Sequence, residues 1–332
     1  MINIHGNPSI AGLQFRHFLG EIDFPRIAAV LMASEAADQS ERVVTAQDID
    51  DAYKNMTNCD PYRDIIFAEI NGEMVGYSRG WWQEESPSLC LYVHNGFLVP
   101  EWRRRGIGQA MLAWMEQHLC EMAAAHPDFS ERYFQVNTTQ FQKGTAILLE
   151  HSGYLPARYF YLMVRPSLDD IHDFPLPAGI EIRPAVPDHY PAIWESVNEA
   201  AQDEWGYQSP TDDDYHEWLE SPNFQPELWQ IAWDKNTNRV VGHVLTYIYH
   251  AENRQINRKR GYTEGIGVVR SWRRRGLARA LISKSLQAQK AAGMTESALI
   301  ADRDSASGAT LLYESCGFQV VKCDTLYRKP MP

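Results

Sequence analysis

Trp102-Arg103-Arg104-Arg105-Gly106-Ile107-Gly108 recurs 170 residues later as Trp272-Arg273-Arg274-Arg275-Gly276-Leu277-Ala278. The surroundings repeat in the same order. Upstream, apolar runs end in Val75-Gly76 and Val241-Gly242, and strand-like segments, Leu89 to Val99 and Tyr262 to Val269, lead into each arginine run. Downstream of each come a helix-like stretch, a further strand, and Ser152-Gly153-Tyr154 or Cys316-Gly317-Phe318. A repeat spaced by one domain length marks a duplicated folding unit, and a chain of 332 residues accommodates two domains of about 150. The acidic, proline-bearing stretch Asp169-Asp170-Ile171-His172-Asp173-Phe174-Pro175-Leu176-Pro177 reads as the connector. With the boundary near residue 172, the expected domains are residues 1–168 and 179–332, joined by 169–178, and Ile180-Glu181-Ile182-Arg183-Pro184 opens the second.

Strands and helices alternate within each copy, which predicts an α/β or α+β layered fold. Period-two alternation places Glu264, Ile266 and Val268 on one face of a strand, with Thr263, Gly265 and Gly267 opposite. After Gly108, Met111, Met115, Leu119 and Met122 fall at helical spacing beside Trp114. Each arginine-glycine motif therefore sits at a strand–loop–helix junction. The first N–H groups of such a helix lack intrahelical acceptors, and with the helix dipole they form a seat for phosphate or pyrophosphate. Small residues at Gly106, Gly108, Gly276 and Ala278 let a ligand approach the backbone, and arginines at the mouth supply forked donors. An isolated arginine run is usually a solvated patch; the preceding strand, the following helix and the duplication favour a site here. The motif is neither a Walker A loop nor a complete GxGxxG fingerprint.

Arg103-x-x-Gly106-x-Gly108 and Arg273-x-x-Gly276-x-Ala278 match the [Q/R]-x-x-G-x-[G/A] pattern, and the chain resembles the GCN5-related N-acetyltransferase superfamily over nearly its whole length. Leu312-Tyr313-Glu314-Ser315-Cys316-Gly317-Phe318 is similar to that family's later signature. The resemblance implies two tandem folds, each a mixed sheet flanked by helices whose central parallel strands splay apart to admit the pantetheine of acetyl-CoA. It further implies that Gly267, Val268, Val269, Arg274, Arg275, Gly276, Leu277, Ala278 and Arg279 line one CoA site. Leu98, Val99, Arg104, Arg105, Gly106, Ile107, Gly108 and Gln109 would line the other. Family members often carry an asparagine after the second splayed strand, where this chain has Asp304-Ser305-Ala306-Ser307-Gly308, so part of the contact set departs from the pattern.

The implied chemistry is direct attack of an amine on the thioester in a ternary complex. The ammonium must lose a proton, the oxyanion needs a donor and the leaving thiolate needs an acid. Tyr313 matches the family tyrosine near the sulfur and is the candidate acid; packing beside Phe318 is the structural alternative. The first copy has Leu149 at the matching position, four before the glycine, which points to a degenerate first and a catalytic second domain. Glu264, twelve residues before Gly276, is the candidate base, and His94 takes the corresponding place before Gly106. A surface glutamate and a core histidine are the plain alternatives. A backbone N–H near Val268 or Val269 is the expected oxyanion donor. In the acidic, aromatic run Gln202-Asp203-Glu204-Trp205-Gly206-Tyr207, Asp203 and Glu204 are candidates for binding a cationic acceptor, with an exposed helix end as the alternative.

Composition narrows the classes. A formal net charge of −12 disfavours polyanionic partners, so neither nucleic acid nor an anionic membrane is expected. No stretch approaches the roughly 18 apolar residues of a membrane span. Met1-Ile2-Asn3-Ile4-His5-Gly6 lacks the pattern of a signal peptide. Five scattered cysteines without CxxC spacing indicate a reducing, cytoplasmic setting and no metal. The expected partner is a small-molecule amine, in a monomer or homodimer. A non-catalytic acetyl-CoA sensor or assembly module is the alternative to an enzyme.

Overall fold

A computed structural model describes residues 2, 4, 6–40, 43–126, 129–305 and 307–332. Met1, Asn3 and His5 of the N-terminal stretch, and Ala306 of the 304–308 loop, lie outside the described residues. In chain order the first half contains β1 (Leu13–Arg16), α1 (Phe24–Ala37), α2 (Ala46–Lys54), α3 (Pro61–Asp64), β2 (Ile65–Ile70), β3 (Glu73–Ser86), β4 (Leu89–Leu98), α4 (Ile107–Ala123), β5 (Glu131–Thr139), α5 (Lys143–His151) and β6 (Leu155–Arg165). The second contains β7 (Ile180–Arg183), α6 (Tyr190–Ala201), α7 (Asp212–Glu220), β8 (Gln230–Asp234), β9 (Arg239–Tyr247), α8 (His250–Gln255), β10 (Arg260–Val268), α9 (Leu277–Ala291), β11 (Glu296–Asp302), α10 (Ala309–Ser315) and β12 (Gln319–Pro330). Apart from α3, ahead of β2 in the first half, and α8, between β9 and β10 in the second, the element order repeats as the duplicated motifs predict.

The chain forms two compact units, Met1–Arg158 with Asp324–Pro332, and Tyr159–Cys323. This division differs from the expected domains of 1–168 and 179–332. The reason lies in the last strand of each copy. In unit 1, β5 pairs antiparallel with β12 from Thr139↔Asp324 to Tyr133↔Pro330. In unit 2, β11 pairs antiparallel with β6 from Ser297↔Arg165 to Asp302↔Phe160. Each sheet is thus completed by a strand from the other half of the sequence, which local pattern does not encode.

Strand order in unit 1 is β1-β2-β3-β4-β5-β12, and in unit 2 β7-β8-β9-β10-β11-β6. The neighbours are antiparallel except β4 with β5 and β10 with β11. The parallel pairs end early. Register runs from Leu89↔Glu131 to Val93↔Gln135 in unit 1, and from Arg260↔Glu296 to Tyr262↔Ala298 in unit 2. Beyond those residues all four strands continue without pairing to one another, so each sheet opens at its centre.

A helix closes one face beside each opening. Ile107, Ala110, Met111, Met115 and Leu119 bury one stripe of α4, as their spacing predicts. Leu277, Leu281, Ile282 and Leu286 of α9 join Val241, Leu299 and Met163 in the core of unit 2. The glycines of the Val-Gly pairs permit this approach. A Cβ on Gly242 would come within 3.1 Å of Leu277 and 3.2 Å of Leu281, and one on Gly76 within 3.1 Å of Met111. A methyl group there would push each helix off its sheet.

Candidate active site

The two arginine-glycine loops have the same backbone. Val99 and Val269 follow the strands at φ −59°, and their N–H groups donate to Val75 O (3.0 Å) and Val241 O (3.1 Å). Arg104 and Arg274 adopt φ 60° and 63°, and Gly106 and Gly276 cap the helices at φ 87° and 84°. Left-handed arginines are costly for L-residues, so both loops are held in place by their neighbours. The holding residues are the first arginines of the motifs. Arg103 donates Nε to Leu98 O at 3.1 Å and binds both oxygens of Asp38 and Ser34 Oγ. Arg273 donates Nε to Val268 O at 2.9 Å, Nη1 to Asp203 at 2.6 Å and Nη2 to Ala200 O at 3.2 Å. Each arginine ties its loop to the end of the first long helix of its unit.

Neither glycine cap contributes a side chain to the helix, so the first N–H groups of α4 and α9 point outward without a cap. Around them Arg104, Arg105, Arg274, Arg275 and Arg279 are exposed, with Arg105 and Arg275 stacked on Trp102 and Trp272 at 4.7 and 4.6 Å. This is a concentrated positive mouth on an acidic protein. The residues expected to line the CoA sites differ in exposure. Ile107, Val269 and Leu277 are buried in the cores, while Ala278, Val268 and Leu98 are half-buried and Gln109 is exposed. Gly267 has a different reason to be glycine, because a Cβ there would lie 2.2 Å from His243 and 2.9 Å from Ala200 of α6. A Cβ on Gly108 would make only ordinary contacts with Leu98 and Leu148. The caps differ in openness. Nothing lies within 4 Å of a Cβ built on Gly276, whereas Pro8 lies within 3.2 Å of one on Gly106.

Two sequence expectations need correction. Of the two expected oxyanion donors, Val268 and Val269, the N–H of Val269 is spent on Val241 O. The period-two face also fails, because β10 bulges between Glu264 and Gly267. Glu264 pairs with Leu245 and Gly267 with His243, two residues away on β9, so these two share a face. Val268, opposite Gly242, points to the α9 side. Glu264 therefore sits on the α6 side of the opening.

Tyr313 belongs to the other side of the sheet. It lies on α10 in the α9-side core, 9% exposed, and its hydroxyl is pushed up to about 12 by burial, with the Glu204 carboxylate adding to the shift. Glu264 is half-buried, and burial raises its carboxyl above the usual range, against a hydrogen bond from Tyr249 OH at 3.4 Å. Two groups with raised proton affinities, the Glu264 carboxyl and the Tyr313 hydroxyl, thus belong to opposite faces of the sheet.

The proposed acceptor carboxylates separate. Asp203 pairs with both Arg270 and Arg273, which hold its carboxyl at about 2, so its charge is already neutralised and it serves the loop. Glu204 is open to solvent on one side, yet surrounding protein and Asp302 raise its carboxyl while Arg273 opposes them. Sequence reasoning overlooked Tyr249, and the loop-holding task of Arg103 and Arg273 with Asp38 and Asp203. The equal placement of both aspartates just after a first helix was the available signal.

Unit 1 has no such pair. His94, at the Glu264 position, is buried, held at about 3 by burial, and bonded through Nε2 to Tyr154 OH at 2.7 Å. Leu149, at the Tyr313 position, packs in the core with Tyr154 and Phe134. In the 304–308 loop, Asp304 pairs with Arg303 at 3.1 Å, and Ser305 with Ser307 at 2.8 Å.

Similarity to known proteins agrees with this geometry. The sequence profile described as "Acetyltransferase (GNAT) family" matches residues 31–138 and 192–318. A mycothiol acetyltransferase of Kineococcus radiotolerans is 28% identical over 312 residues, covering 90% of this chain and 91% of that protein. One from Streptomyces griseus subsp. griseus is 30% identical over 264 residues, 78% of each chain. A GCN5-related N-acetyltransferase from Sphaerobacter thermophilus superposes with TM-score 0.78 at 24% identity, over 96% of both chains. A tandem GNAT protein from the clavulanic acid biosynthesis pathway gives 0.66 at 16% identity, over 96% of this chain and 99% of that one. The chain belongs to the acetyltransferase (GNAT) family, as a tandem member.

Proposed function

We propose that this acetyltransferase moves an acetyl group from acetyl-CoA to a primary amine of a small molecule, and that unit 2 carries the chemistry. The observation that supports this best is the opening between β10 and β11, with Glu264 on one face and Tyr313 on the other. The uncapped start of α9, with Arg274, Arg275 and Arg279 around it, suits the pyrophosphate of CoA. The unpaired edges beyond Tyr262 and Ala298 leave room for an extended chain such as pantetheine between the strands.

Glu264 takes the proton from the acceptor's ammonium, directly or through a water, and its raised proton affinity suits that task near neutral pH. Tyr313 stays protonated well above neutrality and gives its proton to the departing thiolate. The loop and α9 orient the donor, which is where most of the rate arises. Glu204, rather than Asp203, remains the candidate carboxylate for drawing in a cation. Unit 1 is a degenerate copy, since its base position is a neutral histidine locked to Tyr154 and its acid position a leucine. Five scattered cysteines without CxxC spacing fit a reducing compartment, the cytoplasm.

The test is thiol release from acetyl-CoA with a panel of amines, mycothiol-related acceptors first because the relatives carry that name. Turnover that depends on both Glu264 and Tyr313 is expected. Full turnover in the Glu264→Gln and Tyr313→Phe proteins would refute the assignment to unit 2.

A further inference from the structure

The face of unit 2 that carries Glu264 also holds groups the transfer reaction leaves unused. Tyr247 ends β9, Tyr249 follows it, Glu252 lies in α8, and Tyr262 stands two residues before Glu264 on the same face of β10. Tyr249 OH donates to Glu264 Oε2 at 3.4 Å, and Tyr262 OH donates to Glu252 Oε1. The rings of Tyr249 and Tyr262 lie 4.9 Å apart, and Tyr247 stacks on Tyr249 at 6.0 Å with an interplanar angle of 2°. Two carboxylates are therefore each held by a tyrosine hydroxyl, and the two tyrosines touch. Buried Arg260, two residues before Tyr262 on β10, also acts on Tyr262 and pairs with Glu296 at 2.8 Å, and His243 faces this side as well. It is buried and neutral, hydrogen-bonded to Ser196 of α6, whose Glu199 is engaged by Arg239.

We propose that Tyr249 is a positioning residue for the base, holding the Glu264 carboxylate by its hydroxyl, while Glu252, fixed by Tyr262, opposes ionisation of Glu264 across the tyrosine pair. A hydroxyl that donates to a carboxylate stabilises the ionised form, and a second carboxylate nearby disfavours it. Burial gives the largest upward push on the Glu264 carboxyl; on top of it the two neighbours act in opposite directions, Tyr249 downward and Glu252 upward. Tyr249 keeps its own proton, because burial and the two glutamates raise its hydroxyl further. The carboxylate is thereby kept in one orientation yet remains basic enough to accept a proton.

This rests on the reading of Glu264 as the base, and the test separates the two. In the full-length protein labelled with 13C at glutamate side-chain carboxyls, the Glu264 resonance is assigned by its loss in Glu264→Gln and titrated by NMR, with no acceptor needed. Tyr249→Phe raises the Glu264 midpoint by about half a pH unit or more, Glu252→Gln lowers it by a similar amount, and the double variant returns close to the starting value. Shifts in the same direction in both single variants, as a loosened fold would give, overturn the proposal, as does the absence of any shift. If the midpoints move as expected but Glu264→Gln turns over acetyl-CoA at the wild-type rate, the positioning stands and the base assignment falls.

Discussion

Replacing Gly276 by glutamate tests whether the α9 loop seats the anionic part of acetyl-CoA. Gly276 sits at φ 84°, and a Cβ there meets nothing within 4 Å. Any L-residue at this position therefore costs about 1 kcal/mol of backbone strain and makes no collision. Gly276→Ala carries the strain alone, while Gly276→Glu adds a negative charge at the mouth. Two unit charges about 5 Å apart at an effective dielectric of 20 repel by roughly 3 kcal/mol, a factor of about 10² in affinity. The affinity of the purified chain for acetyl-CoA, followed by native mass spectrometry or calorimetry, is expected to fall about 10²-fold in Gly276→Glu and little in Gly276→Ala. Thermal midpoints of the two variants should match. Gly106→Glu, made against the Pro8-covered cap of unit 1, should leave turnover intact. Equal affinity in Gly276→Glu and Gly276→Ala would refute the loop as an anion seat.

Further outcomes follow from the same geometry. Tyr313→Phe removes one buried hydroxyl, and should lower kcat by about 10²–10⁴-fold with acetyl-CoA affinity unchanged; a drop in affinity without loss of kcat would show a packing role instead. His94 and His243 are held neutral at about 3 and about 4, below the unfolded value near 6.5. The unfolded state then binds more protons than the folded one below pH ~6.5, so stability should fall as pH drops from there toward 4, and less steeply in His94→Gln, as read by thermal midpoints across that range. Arg273→Leu unties the loop from Val268, Ala200 and Asp203, and should weaken acetyl-CoA binding although Arg273 is a loop-holding residue. Unchanged binding in that variant would mean that the loop keeps its shape without the tie.

The duplication, the fold class and the strand–loop–helix seat were legible in the sequence, because they rest on local pattern. Arg103-x-x-Gly106 and Arg273-x-x-Gly276 specify a backbone, and both loops adopt it to within a few degrees. The difference in residues between the copies was legible as well, Leu149 standing where the second copy has Tyr313, and His94, at the Glu264 position, is hydrogen-bonded to Tyr154. Other features depended on packing. One inserted residue in β10 turns Glu264 to the face opposite Val268, and a bulge leaves no signature in alternation alone. Asp203 looked like a substrate carboxylate until Arg270 and Arg273 were found around it.

By itself, the sequence determined which segments become strands and helices, where the two left-handed arginine-glycine loops lie, and which copy carries Glu264 and Tyr313 rather than His94 and Leu149. These follow from periodicity, glycine at left-handed positions and side-chain chemistry. Tertiary structure decided what depends on contacts between distant residues. It set the exchange of β6 and β12 between the two sheets, the gap beyond Tyr262 and Ala298, and the tyrosine-held carboxylates around Glu264. Strand pairing and burial join groups far apart in the chain, and no local pattern records which partner each will meet.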